Sequence, residues 1–423
     1  MPSQIKSGIQ FSALGLRAKS PTIERLMTAA LDNPKLLSLA AGFTDNASLP
    51  HNVVRSAVNE LTRRESKETL QYGLNQGRPL LRKQLAVHLA TWEPQLMDAA
   101  ADTRFFVTNG SQQALYLAMQ VLCEPGDIVL VDRPSYFVFL EMLVAMGVRA
   151  ISMPVDEHGR LNQSALKQRL TELELSGDRQ RIKAVYFVSY YSNPSSRSLD
   201  EVEKRELAVT LTGQGLVIPV IEDAAYRDLY FSERSATPST LTLSEWADFP
   251  KLYLSTLTKP FATGLKVGYG YCTEPDWLAR MLHTKGHHDF GSANFNQAII
   301  ERVITDGGFE RQLGDIRPMY LRKMLALHET LIAEGLRELG WTWSKPEGGL
   351  YLWLEAPENL DTGLATAFCR KCIDAGVLYV PGELCFGDEA PANFIRMSFG
   401  VLGETDLREA ARRFVKVARS YSV

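Results

Sequence analysis

Cysteine is scarce in this chain: there are five in 423 residues, Cys123, Cys272, Cys369, Cys372 and Cys385. An odd, scattered set is not the disulfide framework of a secreted protein. Cys369 and Cys372 form a Cys-x-x-Cys pair, but the surrounding segment reads as a helix. No second ligand pair follows at zinc spacing, so no metal site is expected. Long apolar runs are also missing. Nothing approaches the roughly 18 consecutive apolar residues of a membrane span. The first residues carry no apolar core with a small-residue cleavage site, so no signal peptide is read there and a cytoplasmic location is expected. Basic excess is missing too: 46 Lys and Arg stand against 49 Asp and Glu, a net charge of −3. That balance argues against nucleic acid or an anionic membrane as a partner. No internal repeat or low-complexity tract is visible.

What remains is ordinary globular composition, 45% hydrophobic and 22% charged. The length implies two or three domains at about 150 residues each. From about residue 104 to 273, short β-rich runs alternate with longer helical stretches. Strands are expected at 104–108, 128–131, 148–153, 184–188, 217–221, 252–255 and 267–271, with helices at 112–122 and 136–146 among them. Helical stretches of ten or more residues between strands imply crossovers, hence an α/β fold with a mostly parallel sheet. In such sheets ligands collect at the carboxyl ends of strands. The C-terminal part has a different rhythm: a helix at 317–339, strand-like runs at 341–343 and 350–354, a helix at 362–375, strands near Val377 and Phe394, and a last helix at 404–419. We expect three parts: an N-terminal arm, 1–50, belonging to the small domain; a large domain, 51–320; and a smaller α+β domain, 321–423. The arm would hold one short amphipathic helix through Ile23, Leu26, Met27, Ala30 and Leu31.

Four segments follow predicted strands. In the first, Thr108 to Ala114, a strand ends in Gly110-Ser111 and a helix begins. Backbone N–H groups at a helix start, with a hydroxyl, make a phosphate site; read alone, Ser111 is simply an N-cap. In the second, an apolar strand ends in Glu222-Asp223, ahead of Tyr226. A buried acid needs a partner, and a capping Asp near the surface is an equal reading. In the third, Ser255, Thr256 and Thr258 precede Lys259; alone, a surface lysine is favoured. Pro260 biases Lys259 towards extended backbone. In the fourth, Asn193-Pro194 follows a strand and alone reads as a turn. Together these segments supply what pyridoxal phosphate requires. Its aldehyde needs a lysine amine, its pyridine nitrogen a carboxylate, its phosphate a helix start with hydroxyls, and its O3′ donors such as Tyr or Asn.

An ordered series of motifs then resembles one family. It includes Gly42-Phe43 with Leu49-Pro50, Tyr72-Gly73 with Gly77 and Leu81-Arg82, Gly348-Gly349 before Tyr351 and Trp353, Pro381-Gly382 with Phe386-Gly387, and Arg396-Met397-Ser398-Phe399. The chain is similar, from about Leu39 to Arg412, to the class I/II aminotransferases, which are pyridoxal-phosphate-dependent transferases of fold type I. The stretch from Ser20 to Arg25 leans towards the aminoadipate, kynurenine and aromatic aminotransferase subgroup. The resemblance implies a homodimer with shared active sites. It implies transfer of an amino group from an L-amino acid to a 2-oxo acid by a ping-pong cycle. By the same resemblance Lys259 holds the cofactor as a Schiff base and then acts as general base. Gly110, Ser111 and Gln112 hold the phosphate, with Ser255 or Thr256 and Lys266 adding contacts. Tyr136 stacks on the ring, Asn193 and Tyr226 reach O3′, and Asp223 reaches the pyridine nitrogen. Tyr72 reaches the neighbouring subunit's phosphate. Gly42 and Asn193 line the substrate site, and Arg396 grips the substrate carboxylate with its planar fork.

The chain departs from the family's Ser-x-Ser-Lys-x-x-x-Pro-Gly-x-Arg-x-Gly pattern. Thr258 keeps a hydroxyl, Lys266 replaces the fork of an arginine, Pro260 follows the lysine directly, and Ser196 stands where Gly is common after Asn-Pro. These departures keep a lyase, decarboxylase, cyclase or amino-acid oxidase on the same fold open as an alternative. A pyridoxal-phosphate-sensing regulator is a third reading; only about 40 residues precede Gly42 here. For the substrate side chain, Arg17 and Arg25 suit an acid, though each reads more simply as an exposed arm residue. Phe11, Phe43, Tyr136 and Phe295 suit an aromatic or aliphatic group.

Overall fold

The computed structural model describes residues 9–22, 35–63, 67–97 and 101–421. The expected helix through Ile23 and Leu31, and Arg25 with it, lie outside the described residues.

Seven strands form the central sheet: β2 (Phe105–Asn109), β3 (Ile128–Val131), β4 (Arg149–Ser152), β5 (Ile182–Val188), β6 (Val220–Asp223), β7 (Lys251–Thr256) and β8 (Val267–Cys272). Their order is β2-β8-β7-β6-β5-β3-β4. β8 runs antiparallel to both its neighbours, and the other four pairings are parallel. The near-continuous apolar runs have a physical reason, because helices cover both faces. On β3, Ile128 and Leu130 enter one core cluster while Val129 and Val131 enter the other. Two glycines in β8 allow close packing over it. A Cβ on Gly268 would lie 2.3 Å from the Gly110 carbonyl carbon, so the start of the helix Gly110–Leu122 rests directly on that strand.

A second, antiparallel sheet joins β9 (Tyr351–Glu355), β11 (Val380–Pro381) and β12 (Phe394–Ser398) in the order β11-β12-β9. β1 (Leu37–Ser38) pairs in parallel with β10 (Val377–Leu378), tying the N-terminal segment to the C-terminal part. The helix Glu404–Arg419 packs along the 26-residue helix Gly308–Ala333.

That long helix starts nine residues before the expected position and runs through Pro318. A start at Arg317 would put Pro318 in the first turn, where proline is favoured. Instead Phe309, Leu313, Ile316 and Tyr320 form one buried stripe across it, and their packing outweighs the lost N–H. The run Trp341–Trp343 forms no strand, only one bridge from Thr342 to Glu355. Cys369 and Cys372 are buried on the helix Ala367–Asp374, and burial pushes both thiols up. Among the described residues, no helix is long and apolar enough to cross a membrane. No group of three His, Cys, Asp or Glu among them is placed to hold a metal.

Candidate active site

Strands β2, β3, β5, β6 and β7 all end on one edge of the central sheet, and the chemistry is gathered there. Lys259 follows β7 and is half-buried. Its ammonium has no carboxylate partner among the described residues, and its Nζ donates to the Gly42 carbonyl at 2.5 Å. Loss of solvent around the amine lowers its pKa to about 8, and the Arg396 and Lys266 charges push the same way. A neutral amine is therefore accessible near neutral pH.

Asp223 ends β6 and is 4% exposed. It accepts from the Tyr186 hydroxyl at 3.1 Å and from the Ala225 N–H at 3.0 Å. No cation meets it among the described residues. Burial raises its pKa to about 6 against those two donors. A cationic partner is what this carboxylate lacks.

Arg396, on β12, is 1% exposed and also lacks a carboxylate among the described residues. Its Nη1 donates to Asn193 Oδ1 at 2.8 Å and its Nη2 to the Ala40 carbonyl at 2.6 Å. Its Nε is buried with no partner among the described residues. The guanidinium lies 4.3 Å from the Tyr351 ring centroid and 5.3 Å from that of Phe137. The Tyr226 and Tyr351 hydroxyls share a hydrogen bond at 3.1 Å. Asn193 and Arg396 thus join the large sheet's edge to the small sheet.

The helix Gly110–Leu122 begins with Gly110 at φ +71°, a conformation that favours glycine. Ser111 and Gln112 follow in its first turn. Tyr136 precedes the helix Phe137–Met146 and donates a long bond, 3.4 Å, to Gln112 Oε1. Ser255 and Thr256 use their hydroxyls internally, donating to the carbonyls of Ala224 and Val267 at 3.3 and 3.2 Å. Thr258 is different: its Oγ1 is buried without a partner among the described residues, and a Cβ on Gly110 would lie 3.9 Å from it. Lys266 is exposed, in a left-handed conformation at φ +54°. Tyr72 stands apart from this cluster: it is 78% exposed and packs edge-on to Phe290 at 5.5 Å.

The site thus brings together Gly42, Gly110, Gln112, Tyr136, Asn193, Asp223, Tyr226, Lys259 and Arg396. Sequence reading assigns no role to Tyr186 or Tyr351. A tyrosine inside a buried apolar run, as at Tyr186, is itself a signal, because a buried phenol needs a partner. Arg17 is committed elsewhere: it donates to the carbonyls of Ala145 and Met146 at a helix end.

Known proteins give the same picture. The sequence matches the family described as aminotransferase class I and II over residues 34–414. It is 28% identical to aromatic-amino-acid aminotransferase 1 of Thermococcus litoralis, over 97% of this chain and 94% of that one. The fold is similar to a kynurenine aminotransferase of Pyrococcus horikoshii in complex with PMP, with TM-score 0.84, 26% identity and 97% of each chain covered. It is also similar to LysN, the alpha-aminoadipate aminotransferase of Thermus thermophilus, complexed with N-(5'-phosphopyridoxyl)-L-leucine, with TM-score 0.81, 26% identity and 97% of each chain covered. Sequence, fold and the lysine, acid and arginine gathered at one sheet edge agree: this chain belongs to the class I and II aminotransferases.

Proposed function

We propose that this transaminase uses pyridoxal phosphate held on Lys259 and moves an amino group from an L-amino acid to a 2-oxo acid. One observation supports the reading above the others: the half-buried Lys259 and the buried Asp223 and Arg396 share one site with no ion-pair partner among the described residues. Each lacks a different group. The lysine suits an aldehyde, the carboxylate a protonated ring nitrogen, and the guanidinium a substrate carboxylate. The unpartnered Thr258 hydroxyl beside Gly110 fits a phosphate oxygen.

In this reading Gly110, Ser111 and Gln112 present the helix start to the phosphate. Thr258 joins them, with Lys266 as a supporting charge. Ser255 and Thr256 brace the loop through their carbonyl bonds. Tyr136 covers the ring, and Tyr226 and Asn193 serve O3′. When bound, the cofactor supplies an electron sink for charge developing at the substrate Cα. Asp223 would pair with the protonated ring nitrogen, and that partner would hold the carboxylate ionised. Lys259 would accept the Cα proton, its lowered pKa making the neutral amine accessible near neutral pH. Arg396, fixed by Asn193 and Ala40, orients the substrate carboxylate. Gly42 keeps its carbonyl within reach of Lys259.

Tyr72, Leu70, Leu74 and Phe290 are all more than half exposed, and this apolar surface suits a second copy of the chain. Tyr72 then serves the partner's phosphate. A division into an arm (1–50), a large domain (51–320) and a small domain (321–423) fits β1 pairing with β10, with the long helix spanning the boundary.

The test is an absorbance record between roughly 300 and 500 nm during addition of single L-amino acids to the holoenzyme. The account expects bleaching of the visible band without any 2-oxo acid, and recovery when one is added. Ammonia release without bleaching would move the assignment to a lyase on the same fold.

A further inference from the structure

Tyr351 is 1% exposed and opens β9 against three parts of the site. Its hydroxyl is 3.1 Å from the Tyr226 hydroxyl, with the two rings edge to face. The Arg396 guanidinium lies over its ring at 4.3 Å. A Cβ on Gly42 would come within 3.1 Å of its hydroxyl, so that position has little room for a larger residue.

The backbone of Tyr351 is pinned as well. Its carbonyl accepts the Ser196 hydroxyl at 2.7 Å. Ser196 takes a left-handed conformation, φ +53°, at the place where the family commonly has glycine. The hydroxyl gives a reason for a side chain at a position that favours none: it ties the Asn193 turn to β9. A Cβ on Gly348 would lie 2.6 Å from the Tyr191 ring, so the segment leading into β9 is seated tightly against that turn.

Between two phenols in one hydrogen bond, one donates and the other keeps its proton free. The cation over the Tyr351 ring draws electron density from it and makes its hydroxyl the better donor. We infer that Tyr351 is a positioning residue whose hydroxyl donates to the Tyr226 oxygen, directing the Tyr226 proton to the cofactor's O3′ and strengthening it there. Accepting one hydrogen bond makes a hydroxyl a stronger donor in the next. The inference rests on the reading above that Tyr226 serves O3′.

A donor at O3′ competes for the electron pair that otherwise shares a proton with the lysine nitrogen. Weakening that donor raises the pH midpoint of the bound cofactor's visible band. The groups facing Tyr226 are Tyr351, Tyr136 and Arg396, and those facing Lys259 are Arg396 and Lys266. None of the others is altered by Tyr351→Phe. The experiment titrates the visible band of the holoenzyme for wild type, Tyr351→Phe and Tyr226→Phe. It also measures binding of 3-phenylpropionate, a non-reactive carboxylate, to Tyr351→Phe and Tyr351→Leu. The midpoint should rise by about half a unit in Tyr351→Phe and further in Tyr226→Phe. Carboxylate affinity should persist in Tyr351→Phe, which keeps the ring under Arg396, and fall in Tyr351→Leu. An unmoved midpoint in Tyr351→Phe beside a shifted Tyr226→Phe overturns the positioning role alone. Unmoved midpoints in both overturn the placement of Tyr226 at O3′ as well.

Discussion

Glu222 and Asp223 are consecutive on β6, face opposite sides of the sheet, and among the described residues only Glu222 meets a cation. Glu222 accepts from Lys204 Nζ at 3.0 Å and from the hydroxyls of Ser189, Ser239 and Thr240 at 2.6 to 2.7 Å. Burial alone would raise its pKa, but the Lys204 charge and these donors outweigh it and hold it at about 2. Asp223 has two neutral donors, and burial leaves its pKa at about 6. One carboxylate is completed by the fold, and the other is buried with no cation beside it among the described residues.

This contrast gives a stability test on the cofactor-free protein. The folded pKa of Asp223 lies above its ordinary value of 3.8, so the folded state binds the extra proton. Its contribution is fully favourable below about pH 4 and is lost as pH rises through about 6. Asp223→Asn should therefore make the apoprotein more stable at neutral pH, by on the order of 2 kcal/mol. Thermal melts across pH check this: the gap should close below about pH 4. The same variant should bind pyridoxal phosphate more weakly.

Glu222→Gln should behave in the opposite way. Removing one member of a buried pair strands the Lys204 charge and costs about 3 kcal/mol. The folded pKa lies below the ordinary 4.5, so the stabilisation is present above that pH and is lost as pH falls towards about 2. Denaturant melts measure the loss. Visible absorbance per folded, cofactor-loaded subunit should stay at the wild-type value, because Glu222 faces away from the site.

Arg396→Lys keeps the charge and loses the fork. With Asn193 and Ala40 no longer both engaged, kcat/KM should fall about 100-fold for amino and oxo acids alike, a loss of about 2.7 kcal/mol. Steady-state kinetics on several substrates checks this. A loss confined to one side-chain class would place Arg396 at the side chain instead of the common carboxylate.

Much of this site is legible in the sequence because it is local. Lys259, Asn193 and the Gly110–Gln112 helix start each follow, and Asp223 ends, a strand whose apolar run is unmistakable, and β3 and the final helix match their expected bounds. Relations across the fold are not legible in that way. The Tyr351 phenol meets Tyr226 across 125 positions of sequence, and Arg396 meets Asn193 across 203. The Thr256 and Thr258 hydroxyls look equivalent until the backbone shows one of them used and the other buried without a partner. The start of the long helix is hard to place from sequence because a local rule for Pro318 competes with a buried stripe that only packing reveals.

The homodimer with shared sites proposed above predicts complementation. Lys259→Ala and Tyr72→Ala chains, each impaired alone, should form mixed dimers with one intact site. About a quarter of wild-type activity should return after the two are unfolded and refolded together at equal amounts. No recovery, with mixed dimers verified by mass, would place Tyr72 outside the neighbouring site.

Capture of pyridoxal phosphate by the apoprotein should follow the Lys259 amine. Its rate should rise about tenfold per pH unit below the midpoint and level off above about pH 8. Stopped-flow absorbance reads this directly.

The central claim is that Lys259 carries the cofactor. Borohydride reduction of the holoenzyme, followed by peptide mass mapping, tests it most directly. The account predicts one phosphopyridoxyl mass, on the peptide containing Lys259, and none in Lys259→Ala. The mass on another lysine, or its persistence in that variant, would contradict it.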